Sequence, residues 1–117
     1  MKNKVPFSVR QGDVLIVDAA YRGGIPAEAI KVPKDDGGDT ILAYGEVTGH
    51  AHRIKEKSVA APVEYFDHQA ERYLRVVCEA PLSHEEHHTI PIFPREGGYA
   101  QAFQVEDFGI EVRRVQD

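Results

Sequence analysis

Short apolar stretches separated by turn residues run along the chain, and a period of two dominates them. Val14-Leu15-Ile16-Val17 is the longest unbroken aliphatic run, and Gln11-Gly12-Asp13 ahead of it is a turn, which predicts a strand over Val14 to Asp18. Tyr21 to Pro26 reads as a loop, and Pro26 to Ile30 as at most one helical turn with proline at its start. The polar stretch Lys34 to Asp39 leads into a second strand, Thr40 to Gly45. Further on, Val59, Ala61, Val63 and Tyr65 share a face, with Glu64 opposite. In Tyr73 to Glu79, Leu74, Val76 and Cys78 point one way and Arg75 and Glu79 the other. Gly98 to Glu106 sets Tyr99, Phe103 and Val105 against Gln104 and Glu106. Ile90 to Pro94 reads as an extended edge segment, because its prolines cannot donate to a ladder. The tail from Glu106 to Asp117 fits a short helix or a loose end equally well.

The 10 glycines and 7 prolines punctuate the chain, and no stretch of 10–15 residues between strands shows the helical pattern that a doubly wound α/β fold needs. A mostly β fold is therefore expected over residues 1–117: a small single-domain β-barrel or β-sandwich, cupin-like or SH3-like, with at most short helical turns. A chain of 117 residues holds one core. No apolar run approaches the roughly 20 residues of a membrane span. Lys2 and Lys4 have no apolar stretch behind them, so a cleaved signal peptide is not expected. With a single cysteine as well, a cytoplasmic location is the expectation. The formal charge of −5 argues against general nucleic-acid binding, although a patch around Arg10, Arg22 and Arg53 is a minor possibility.

The chemically loaded feature is histidine, since five of the six fall in two tight clusters. His50 and His52 form an H-x-H pair; on a strand, its Cα atoms lie roughly 6–7 Å apart on one face. Two ring nitrogens can then reach one ion at about 2.1 Å each. The alternative is a pair of hydrogen-bonded or surface imidazoles beside a turn. The second cluster, His84-Glu85-Glu86-His87-His88, satisfies H-E-x-x-H literally. That motif acts from a helix of several turns. Here Pro81 and Pro91 bracket it too closely. Ser83 and Glu86 have capping-box spacing, which would cap a short turn without any metal. A tight turn would still present His84 and His87 together. Cys78 reads as an inert thiol on an apolar face. Tyr44 reads as a core aromatic, with lining a pocket as the alternative, and Arg53 and Lys55 as exposed cations or anion-binding groups.

Three motifs carry a wider resemblance: Arg10-Gln11-Gly12-Asp13-Val14-Leu15, Gly45-Glu46-Val47-Thr48-Gly49-His50-Ala51-His52, and His84-Glu85-Glu86-His87. With Gly98-Tyr99, Gln104-Val105-Glu106 and Arg113-Arg114-Val115, they make the chain similar to a group of small bacterial and phage-borne proteins of no assigned activity. The resemblance implies that His50, His52, His84 and His87 belong together, with His88 outside the pattern. Asp107-Phe108 departs from it, where a tyrosine is expected. Gly45 followed by His50 and His52 also partly resembles the opening of the cupin metal motif. Glu56 stands near the expected glutamate, but the downstream glycine-rich histidine motif is missing.

Two functions follow. In the first, His50, His52, His84 and His87 bind a divalent metal, Zn, Fe, Mn or Ni, with Glu85 or Glu86 as general acid–base for hydrolysis or lyase chemistry on a small polar ligand. In the second, the histidines form a hydrogen-bonded network in a non-catalytic, homo-oligomeric or adaptor module of a phage-related kind.

Overall fold

The computed structural model describes residues 8–45 and 47–103. Among the described residues, ten strands account for the architecture: β1 (Ser8–Gln11), β2 (Val14–Asp18), β3 (Ile30–Lys31), β4 (Thr40–Tyr44), β5 (Ala51–Ile54), β6 (Glu64–His68), β7 (Glu71–Arg75), β8 (Ala80–His84), β9 (His87–Ile92) and β10 (Tyr99–Phe103). They form a six-stranded sheet in the order β1-β2-β10-β7-β6-β3 and a four-stranded sheet in the order β4-β5-β8-β9. All pairings are antiparallel. The sheets face each other without closing into a barrel, so the expected mostly β domain takes its sandwich-like form.

The inner faces follow the period of two. Val14 and Ile16 of β2, Leu74 of β7, Leu82 of β8 and Tyr99 of β10 are buried in one cluster between the sheets. The outer face of the larger sheet carries a second cluster, Ala19, Tyr73 and Ala100, with Val17, Phe66 and Ile25 against it. The segment that covers this face starts as a 3-10 turn, Ala19–Arg22, where a plain loop is expected from the sequence. Asp18 caps it, Oδ1 accepting the Ala20 amide at 2.9 Å. Gly98 has a φ of 77°, and a Cβ there would lie 2.6 Å from Ile25 Cδ1, so only glycine lets that cover sit down.

The strand predicted from Val59 begins only at Glu64. A 3-10 turn at Glu56–Ser58 and the donorless Pro62 keep the preceding residues out of the ladder. The strand expected over Tyr73 to Glu79 starts earlier and ends at Arg75, because His68 pairs with Glu71 across a tight Gln69-Ala70 turn. The positions expected to continue β10 past Phe103, and the tail, lie outside the described residues. Among the described residues, no helix is long and apolar enough to cross a membrane.

Candidate functional site

At one end of the inter-sheet space, inward positions cease to be apolar. In β5, Ile54 and His52 share the inner face, and in β8 Leu82 and His84 do. Arg53 opposes Ser83 and Ile54 opposes Leu82, so continuing that register by one residue sets His52 opposite His84. His84 in turn pairs with His87 across the β8–β9 hairpin. Three imidazoles therefore lie side by side across three strands. Their ring centres are 4.3 Å apart for His52–His84, 4.8 Å for His84–His87 and 5.8 Å for His52–His87. His50, one residue before β5, stands edge-on to His84 at 6.0 Å. The two sequence clusters thus meet at a single place. His52 is 0% exposed and His84 8%.

Three of the four rings are oriented by a specific partner. Gln11, buried at the inward position that follows Val9, donates from Nε2 to the Leu82 and His88 carbonyls, both at 2.9 Å. Its Oε1 is thereby left to accept from His52 Nδ1, at 2.8 Å. The proton of neutral His52 then sits on Nδ1, and Nε2 carries the lone pair, 3.4 Å from Asp13 Oδ1. His50 Nδ1 is bonded to Glu86 Oε2 at 2.9 Å. His84 is the opposite tautomer: its Nδ1 accepts the Glu86 amide at 3.0 Å, which puts the proton of the neutral ring on Nε2. His87 Nε2 is buried and meets no hydrogen-bond partner among the described residues. Gly45 stands where a Cβ would come within 3.2 Å of His84 Nε2, and its amide bonds the His50 carbonyl at 2.8 Å.

Glu85 and Glu86 form the tip of the hairpin, where capping-box spacing suggested a helical turn. The flanking pair His84–His87 and a bulge at His88–Thr89 make it a β-turn instead. Glu85 Oε1 accepts the Ala51 amide at 3.0 Å, and that bond chiefly holds the Glu85 carboxyl below the usual range against the opposing effect of burial. Both carboxylates thus clasp the hairpin to the start of β5. His88 is exposed, away from the inner row. Among the described residues, no three His, Cys, Asp or Glu side chains already surround one point as a metal ion requires.

Gln11 and Asp13, read from the sequence only as turn residues, are integral to the site. The signal was available in the parity of β1, where a glutamine occupies the inward position after Val9. Tyr44, expected in the core, is 74% exposed. Arg53 instead pairs with Asp35 at 3.3 Å and Asp39 at 3.1 Å.

Fold and site together define an open antiparallel β-sandwich with a histidine row across its smaller sheet. The chain belongs to a family described as a domain of unknown function, DUF8820, whose profile matches residues 10–102 and so spans Gln11, Asp13 and all four histidines. No curated protein and no solved structure matches the chain.

Proposed function

We propose that the histidine row is a divalent-cation site, with His52, His84 and His87 as its centre and His50 beside it. The observation that carries this reading is the spacing of the three rings. Imidazoles that share a tetrahedral ion at about 2.1 Å have their centres about 5 Å apart, and these lie 4.3 to 5.8 Å apart. Support also comes from Gln11, which holds the Nδ1 proton of His52 and leaves Nε2 as donor atom, the usual arrangement around a metal-bound histidine. The Asp13 carboxylate beside Nε2 favours a cation there. For His84 to ligate through Nε2, it must release the Glu86 amide, so small rotations of His84 and His87 accompany binding. Zn²⁺ suits this donor set best. Hydrolytic or lyase chemistry follows only if the ion retains an open position, with Glu86, beside His50, as the nearer acid–base group.

Protein prepared without a histidine tag should take up one equivalent of Zn²⁺ by elemental analysis, and Co²⁺ should give the visible bands of a tetrahedral ion. His52→Ala and His84→Ala should each abolish uptake, and His50→Ala should weaken it. Less than about a tenth of an equivalent after reconstitution, or uptake unchanged in both variants, overturns the reading.

The clasp of Gln11, Glu85 and Glu86 favours a second reading, in which the row braces a non-catalytic, self-associating module. A multimer by light scattering, unchanged by chelator and by His→Ala, supports it.

A further inference from the structure

Beside the histidine row, a cleft of about 430 Å³ opens between β4 of the smaller sheet and the inner face of the larger one. Asp13 belongs to both places. The cleft floor is where β6, β7 and β10 break their own apolar alternation. Asp67 shares the face of buried Tyr65, Arg72 that of Leu74, and Gln101 that of Tyr99. Polar residues at inward positions mark a functional site more often than a packing solution.

These groups are held in place. Tyr65 donates to Gln101 Oε1, and Gln101 Nε2 donates to the Leu42 carbonyl at 2.9 Å, which fixes the amide. The Arg72 guanidinium lies 5.4 Å from the centre of the Tyr65 ring. Its Nε is 3.5 Å from Asp67 Oδ1, an ion pair too long for a hydrogen bond, and that oxygen has no hydrogen-bond donor among the described residues. The Asp67 side chain is nevertheless 47% exposed. The lining residues include two carboxylates, Asp13 and Asp67, and one guanidinium, Arg72, so their formal charges sum to one net negative charge. Val14, Ile41 and Ala102 supply apolar walls, and the exposed Tyr44 ring stands at the rim.

We propose that this cleft binds a free aliphatic polyamine, its methylenes against the apolar walls and its ammonium ends at Asp67 and Asp13. Asp67, Arg72, Gln101 and Ile16 are successive register partners, and Asp13 lies three residues before Ile16. With strands about 4.8 Å apart and about 3.3 Å per residue, the two aspartate Cα atoms are on the order of 17 Å apart. Side chains standing off the sheet largely keep that span, and an ammonium about 2.8 Å inside each carboxylate leaves on the order of 11 Å between the two, the length of a triamine. The aromatic rim adds attraction for a cation that no neutral chain receives.

The test is calorimetric titration of the whole chain with spermidine, in chelator so that metal at the histidines plays no part. Submillimolar binding that weakens with salt is expected, with putrescine weaker and 1,4-butanediol silent. Asp67→Asn should lower affinity about tenfold or more, and Tyr44→Ala about threefold. Tyr44 is exposed, so that variant folds whatever Asp67→Asn does. Nα-acetyl-lysine amide, one ammonium on a similar chain, should bind at least about tenfold more weakly than spermidine. Absence of spermidine binding, equal binding of butanediol or the lysine derivative, preference for glutarate, or full affinity in both variants overturns the proposal.

Discussion

The two ends of the space between the sheets obey opposite rules. At one end Ile54, Leu74, Leu82 and Ile92 exclude water with no polar atom to satisfy. At the other, inward positions of these and neighbouring strands hold His52, His84, Asp67, Arg72 and Gln101, each needing a partner. The apolar end follows from burial alone and accounts for the fold. The polar end works against burial unless its hydrogen bonds are made, and unlike the apolar end it presents donors and acceptors with directional demands.

The largest effect that separates the two ends is expected from Leu74→Ala. Leu74 is fully buried, so truncation should cost about 3 kcal/mol, from lost burial plus the cavity. Denaturant melts read this directly, and cation uptake in the folded fraction should not change. A loss below about 1 kcal/mol would mean that the apolar end is not the source of stability.

Gln11→Ala should follow, at about 2 kcal/mol, by a different mechanism. It leaves the Leu82 and His88 carbonyls and His52 Nδ1 without the partner that now serves all three. Gln11→Glu should fare no better, since a carboxylate oxygen would face two carbonyls. If either variant melts like the parent, the amide does not tie β1 to β8 and β9.

At the end of β2, Asp18 gives a pH-dependent contribution. The Ala20 amide, then the Arg95 guanidinium at 2.7 Å, hold its carboxyl below the ordinary range, with burial opposing them. Because the folded value is depressed, this stabilisation is complete above the unfolded value of about 3.9 and is lost as pH falls through the folded one. Asp18→Asn should therefore cost about 1.5 kcal/mol at neutral pH, a gap that closes in acid. An equal gap at both pH values would mean that the carboxylate charge plays no part.

The apolar end was largely legible in the sequence. The strand expected over Val14 to Asp18 is β2, and Thr40 to Gly45 overlaps β4, because period-two burial depends only on neighbours along the chain. The meeting of His50 and His52 with His84 and His87 was expected from the family resemblance and not from spacing, because nothing local sets β5 beside β8. The partners were not. Gln11 reaches Leu82 and His88 across the two sheets, and Asp67, Arg72 and Gln101 converge only through the strand order β6-β7-β10. Local periodicity carries no information about that order.

The smallest effect tests whether the cleft wall is under strain. The β6–β7 turn places Gln69 at φ 51° and Ala70 at φ 69°, the left-handed region that glycine or asparagine usually fills in a two-residue hairpin. A side chain in that conformation costs on the order of 1 kcal/mol, and Ala70 lines the cleft beside Arg72. Ala70→Gly relieves the steric term but gives the unfolded chain more freedom, so the net gain should be only about 0.5 kcal/mol. A small rise in melting temperature, with spermidine affinity reduced because the wall loses a methyl group and rigidity, would show strain retained to shape the cleft. A rise in melting temperature with unchanged affinity would show that the turn serves the hairpin alone.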